Sequence, residues 1–405
     1  MKYTSLLSLL LVMFLLGNIS VSIAQKSYEI HVAAGAFDRS ETVVSFYFPD
    51  SVDPGIYLME SSENRDLLLQ VDSSNRGWFI LDQLPAGQNR VYLFDGEQSS
   101  SEASISSNID STQITFLTEG SEILSYYHGD NTPPRELDER YKRGGYIHPV
   151  YSPNGVRLTS HMNVESHPHQ SGIWSAWTKT EFDGRTPDFW NIHLNSGRVD
   201  QADSLQKQWE GPVHGGFIAR HVFTDLSAPS PVTALNEEWT VHVYKSPESQ
   251  HYRMFDLVVT QTVNSDKPLI LPEYHYGGVG LRGHEDWNNP DLMTFLTAEG
   301  LGRDGHATRT KWTHVGGLSN GELAGITIMG HPENYRFPQP VRIHPDAPFF
   351  NYAPTQLGRM QIEPGSPYIV RYRYITYDGE PNQDELNRLW NDYAYPPQVT
   401  VREIE

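Results

Sequence analysis

The pattern that most restricts this chain is an alternation of apolar and polar residues with a period of two. It runs through Tyr28-Glu29-Ile30-His31-Val32, Val43-Val44-Ser45-Phe46-Tyr47-Phe48 and Arg90-Val91-Tyr92-Leu93-Phe94. It returns in Trp239-Thr240-Val241-His242-Val243-Tyr244 and Tyr368-Ile369-Val370-Arg371-Tyr372-Arg373-Tyr374. Successive side chains of a strand point to opposite faces, so each run describes a strand with one face buried. Helical spacing is convincing only over 383–393, where Leu386, Leu389, Trp390 and Tyr393 follow the turn at Asp378-Gly379. The expected fold is mostly β.

A Ser/Glu-rich stretch over 97–112 divides the chain. The expected organisation is a small N-terminal β-sandwich over 26–110, followed by a large antiparallel β-sandwich over 113–400 that carries the chemistry. The second part is too long for an immunoglobulin-like sandwich, which leaves room for long functional loops. Residues 1–24 read as a secretory signal peptide: Lys2, an apolar run over 6–16, then the small-x-small site Ser22-Ile23-Ala24. Export to the periplasm is expected, with release outside the cell as the alternative. No later run reaches the roughly 18 apolar residues of a membrane helix, so no membrane insertion is expected.

The chain has no cysteine, which excludes disulfides, thiol catalysis, thiolate metal sites and a lipid-anchored N-terminus. Its stability must come from burial, which is feasible at this length. A formal charge of −20 argues against nucleic acid and anionic membrane surfaces as partners. Abundant Trp and Tyr together with glycine-rich loops suit an oligosaccharide partner, because sugar rings stack on aromatic faces while loops supply polar groups.

Of the 17 histidines, all but His31 fall between His128 and His344, and several stand among Gly, Pro and Trp. The first segment contains Tyr146-Ile147-His148-Pro149-Val150-Tyr151-Ser152-Pro153, then His167-Pro168-His169-Gln170-Ser171-Gly172-Ile173-Trp174-Ser175-Ala176-Trp177. In an extended backbone His167 and His169 point the same way, so they would bind one divalent metal or share a proton-transfer site. Bonding to backbone carbonyls, with no chemistry, is the plainer alternative. The second segment, Phe189-Trp190-Asn191-Ile192-His193, combines an aromatic platform with polar donors for sugar hydroxyls; a strand with Trp190 buried explains it as well. Trp177 and His214, which precedes Gly215-Gly216, are further substrate-contact candidates.

The third segment is Glu273-Tyr274-His275-Tyr276-Gly277-Gly278-Val279-Gly280-Leu281-Arg282. Its glycines would let the backbone pass close to a ligand. A cation beside a phenol stabilises phenolate, so Tyr276, His275 and Arg282 form the leading catalytic set. The fourth segment, His331-Pro332-Glu333-Asn334-Tyr335-Arg336, with Arg342-Ile343-His344, adds two arginines; Arg336 suits bidentate pairing with a carboxylate or sulfate, and a surface ion pair is the simpler account of Arg342. HExxH, Gly-x-Ser-x-Gly, Walker and dinucleotide motifs are missing.

Together, Tyr146-Ile147-His148-Pro149-Val150-Tyr151-Ser152-Pro153, His167-Pro168-His169, Tyr274-His275-Tyr276-Gly277-Gly278 and His331-Pro332-Glu333-Asn334 resemble the PmoA-like family of exported bacterial proteins, over roughly residues 120–395. The resemblance implies a sandwich similar to that of galactose mutarotases and a setting among genes for polysaccharide breakdown. It also implies an activity, since members have been linked to dehydration of uronate oligosaccharides. The chain departs from the family at His169-Gln170-Ser171-Gly172, where a further His-Arg is expected before the glycine.

The leading expectation is a carbon–oxygen lyase that eliminates water across C4–C5 of a terminal uronate. Tyr276 or His275 would move the proton, Arg282 or Arg336 would hold the carboxylate, and His148, His167 and His169 would complete the pocket. Substrate contacts are expected from Trp177, Trp190, Asn191, His193, His214, Glu273, Tyr335, Arg336 and His344. No cofactor is required, with a divalent metal at His167 and His169 as the alternative. The rival functions are an aldose epimerase with Glu273 as base, a metal-dependent glycan hydrolase and a non-catalytic carbohydrate-binding protein.

Overall fold

In a computed structural model that describes residues 26–63, 66–203, 205–247 and 251–404, the alternating runs form five antiparallel sheets. The expected signal peptide lies outside the described residues. The runs read from the sequence fall in the strands Ser27–Ala33, Arg39–Tyr47, Asn89–Phe94, Val232–Tyr244 and Tyr368–Asp378, and the helical run is the α-helix Gln383–Ala394, capped by the Asn382 side chain.

Four strands, ordered Arg39–Tyr47, Arg76–Leu84, Leu67–Val71 and Gly55–Met59, face a three-stranded sheet ordered Gln398–Ile404, Ser27–Ala33 and Asn89–Phe94. Ile30, Val32, Phe46, Tyr57, Phe79, Tyr92 and Phe94 fill the space between them. This small sandwich is not continuous in sequence, as the range 26–110 would have it. Its outer strand, Gln398–Ile404, comes from the far end of the chain and pairs Ser27 with Ile404 through to Ala33 with Gln398. Conversely Ile105–Ile109 pairs with Gln113–Thr118 in the large sandwich. A strand must satisfy the backbone groups along both its edges, and the partner that does so need not be near in sequence.

The large sandwich packs an eight-stranded sheet on a nine-stranded one. Ile147, Ile173, Leu281, Ile343 and Phe350 from the first meet Phe217, Trp239, Val241, Phe255, Leu257 and Ile326 from the second. One polar network crosses this core. The carboxylate of buried Glu237 accepts from His221 (2.9 Å), Trp239 (2.8 Å), Ser175 (2.6 Å) and Gln261 (2.6 Å), and so ties strands of both sheets.

Both outer faces are covered too. The helix and the small sandwich close over the nine-stranded sheet through Trp78, Tyr244, Tyr252, Leu386, Leu389 and Trp390. A cavity of about 890 Å³ at this junction, lined by Ser40, Ile80, Val213, Lys245 and Tyr252 among others, contains none of the candidate residues. The eight-stranded sheet is covered by connections instead. With Ile147, Leu281 and Ile343 turned into the core, alternation turns Tyr146, His148, Arg282 and Arg342 to this outer face.

The Glu237 network yields a stability prediction. Glu237→Ala leaves four buried donors without their acceptor, and we expect a loss of about 3–5 kcal/mol. Urea unfolding of wild type and variant measures it; a loss below about 1 kcal/mol would show that water replaces the carboxylate.

Candidate functional site

The connections over the eight-stranded sheet bring four of the sequence segments together. The loop carrying His167 and His169 is pressed onto strand Tyr146–Val150 at Gly172, whose φ is +51° and where a Cβ would stand 2.0 Å from the Ile147 carbonyl. No other residue fits there. His167 is left-handed (φ 53°) rather than extended, so the two imidazoles do not point in parallel; their rings stand 5.9 Å apart at 63°. His167 packs edge-on against His344 at 4.9 Å, and His169 lies 5.9 Å from His193, on the turn Ile192–Leu194. Beside that turn, Asn191 donates to the Tyr276 hydroxyl at 3.2 Å. Tyr276 also packs on Trp190 (5.3 Å), Tyr274 (5.0 Å) and His275 (4.8 Å). These contacts form a cup.

Three arginines serve the cup, and their surroundings differ from the sequence expectation. Arg282, with 0% exposure, gives its terminal nitrogens to the amide oxygens of Gln170 (3.3 Å) and Asn288 (2.5 Å), with no carboxylate bound to it. Burial pushes its guanidinium down to about 10. It lies under the histidines, and the cation beside the phenols is Arg342, whose positive charge is felt by His275 and His344 and which is itself influenced by Tyr276 and Tyr274. Burial and the adjoining Tyr276 push the Tyr274 phenol up to about 12, so Tyr274 stays protonated and donates. The third cation is Arg143, buried on the other side, with its guanidinium 5.7 Å from the Tyr146 ring centroid.

His148, His169 and His344 are held neutral. Burial first, then His167, His193, Arg143 and Arg282, pushes His169 down to about 3. Burial, His167 and Arg342 push His344 down to about 4. The Nδ1 of His344 accepts from the Asp346 (3.1 Å) and Ala347 (2.9 Å) amides, which puts its proton on Nε2. A neighbouring group carries His148, bonded through Nδ1 to Thr159 (2.9 Å) and 5.1 Å from His161. Burial, His161 and Arg157 hold His148 well below its ordinary range.

Several expectations are corrected by packing. Trp190, 2% exposed, and Trp177 are core residues under the cup; Trp177 donates to Gln261 at 2.8 Å and neither offers a face to a sugar. The glycines after Tyr276 make room for these rings and not for a ligand, since a Cβ on Gly280 would stand 3.1 Å from Trp190 and one on Gly277 3.0 Å from Trp177. His214 is buried at the junction of the two sandwiches, against Trp78 (4.6 Å) and Trp209. Arg336 holds the carbonyls of Pro354 and Gly358 at 2.7 Å and lies over Tyr335, so it braces the turn behind Tyr274 instead of meeting a substrate. Glu273 is exposed on the rim, where its carbonyl takes Lys179. Among the described residues, no three or more His, Asp or Glu stand in metal-holding geometry.

Sequence reasoning missed Arg143, His161 and the placement of Arg342 beside the phenols. Arg143 had one visible signal: it is a cation placed directly before the paired glycines that open the first segment.

The neutral histidines fix the sign of an acid response. His169 (about 3), His161 (about 4) and His344 (about 4) sit below the ordinary 6.5, so the unfolded chain binds more protons as pH falls. Their contribution is present above 6.5 and is lost on acidification towards 3–4. In urea titrations across that range, His169→Gln should lose less stability than wild type; equal slopes would refute the assignment.

No curated protein matches the chain. Residues 113–391, which hold the large sandwich apart from its edge strand Ile105–Ile109 and most of the helix that covers it, match the family DUF6807. The chain belongs to DUF6807, a family of unknown function.

Proposed function

We propose that the cup carries out an elimination on a uronate at the end of an oligosaccharide, removing the C5 proton and expelling the C4 hydroxyl as water. The observation that carries this reading is the pairing of opposites: three guanidiniums, none with a carboxylate bound to it among the described residues, stand around a phenol and neutral imidazoles, and the acid that reaches the cup, Asp188, is engaged by Asn191 (2.8 Å) and Thr178 (2.9 Å). Glu285, which influences Arg282, is ion-paired to Arg157. Such a set favours an anionic ligand and has neutral groups ready to accept a proton.

The chemistry asks for both. The proton α to a carboxylate is weakly acidic, so negative charge gathering on the carboxylate must be stabilised while a base takes the proton. The cations supply the first. For the second, Tyr276 acts as the phenolate: its oxygen receives Asn191 and Tyr274 as donors with Arg342 alongside, and these hold the negative charge that it carries before it takes the C5 proton. In a glucuronate the C5 hydrogen and C4 oxygen share one ring face, so Tyr276 can take the proton and return it to the departing hydroxyl. The C5–H and C4–O bonds break, the C4=C5 double bond forms, and water leaves. His169, neutral and 9% exposed, orients the ring from the opposite side.

An epimerase has less support, because Glu273, its candidate base, projects from the rim. The motif resemblance to exported PmoA-like proteins agrees with a substrate met outside the cytoplasm.

Uronate-ended oligosaccharides incubated with the protein should lose the mass of one water and gain the ultraviolet absorbance of a conjugated double bond, with no change on adding a chelator. Tyr276→Phe and His169→Gln should each slow this by about 10²–10⁴-fold at unchanged melting temperature. Cleavage into two fragments would make the protein a lyase of chains, and binding without product across a uronate panel would make it a carbohydrate-binding protein.

A further inference from the structure

The cations of the cup are not equivalent. Arg282 is sealed, with both terminal nitrogens engaged by amides. Arg342 donates to the Ile343 carbonyl at 2.5 Å and lies against the tyrosines. Among the described residues Arg143 has neither an ion pair nor a side-chain hydrogen bond. Its Nε is enclosed without a partner, the 5% of the residue that remains exposed lies elsewhere on it, and Asp200, the acid that influences it, pairs with Arg198.

Around Arg143 the wall is already built. The Asn131 amide bridges the Tyr146 hydroxyl and His161 Nε2, at 3.2 Å each, and the Tyr146 and His161 rings stack at 5.2 Å and 22°. The backbone amide of Asn131 donates to the Arg143 carbonyl at 2.9 Å, which fixes the arginine against that wall. Two glycines set the approach: Gly145 has φ +76°, and a Cβ on Gly144 would stand 2.5 Å from the Gly129 carbonyl.

We propose that Arg143 is the carboxylate anchor of the cup, receiving the acid group of a terminal uronate at its guanidinium tip while His169 stands beside the ring carbon that bears it. This rests on the reading of the ligand as a uronate. A buried cation with no partner destabilises the fold, and an arriving carboxylate converts it into a charge-assisted, bidentate pair. The same event neutralises one of the charges that act on His169, so a bound uronate makes His169 a better hydrogen-bond acceptor for the ring that it orients than it is in the empty site. Neutral sugars would leave it unchanged. Arg143 is therefore placed to select acids over neutral sugars before any chemistry occurs.

Calorimetric binding of glucuronate and of glucose to the full chain, with melting temperatures, tests this. Arg143→Met should weaken glucuronate binding by about 30-fold or more, while raising the melting temperature because an unpaired buried charge is gone. Arg143→Lys should bind at an intermediate level, and Arg220→Met, which removes an exposed cation paired with Glu238, should change neither property. Glucuronate binding by Arg143→Met within about twofold of wild type would overturn the proposal. So would a lower melting temperature or failure to fold, which would make Arg143 a structural cation. The outcome separates from the dehydration reading. Arg143-dependent binding without loss of water retains the anchor and refutes the reaction; dehydration undiminished in Arg143→Met does the reverse.

Discussion

A guanidinium taken out of water must be met by an anion, by hydrogen-bond acceptors, or by a loss of stability. Arg282 is met by two amides. Through them it joins the loop that carries His167 and His169, by way of Gln170, to the turn Glu285–Asn288, by way of Asn288. Its charge remains uncompensated in a poorly screened interior, and that single fact organises the site. The imidazoles near it are neutral, the acid that influences it is paired with Arg157, and the cup is left able to take an anion and a proton.

The sheet beneath makes this arrangement affordable. Its inner face is buried against the other sheet, and the Glu237 carboxylate locks the two together by accepting from both. Its outer face is buried again by Trp174, Trp177, Phe189, Trp190 and Phe349. A sheet buried on both sides holds its outward side chains rigidly, and rigid placement keeps like charges and polar groups apart at fixed distances instead of letting them relax. The small sandwich and the helix perform the same covering role for the other sheet, which explains why the chain needs a domain that contributes nothing to the cup.

Much of this is legible in the residues. The alternating runs mark strands with one face buried, and the crowding of His among Gly and Pro marks the segments that meet over the eight-stranded sheet. Tyr276, His169, His193 and His344 were all picked out in this way and all meet in the cup. What misled was residue type taken without packing. Tryptophan next to polar residues reads as a sugar platform, yet Trp177 and Trp190 fill the space that Gly277 and Gly280 leave open. Arginine after a phenol reads as its partner, yet at six residues' distance Arg282 is turned under the histidines while Arg342, from another strand, reaches the phenols.

The sequence by itself determined several of the strands, the buried face of each, the helix and the segments that meet in the cup, because each is set by a local period or by a residue that only one backbone shape admits. Tertiary structure decided which cation meets which group, that His214 serves a domain junction, and that Gln398–Ile404 completes a sandwich begun at Ser27. The reason is physical: whether an arginine meets water, an amide or an acid depends on residues brought together from distant parts of the chain, and no local pattern records that meeting.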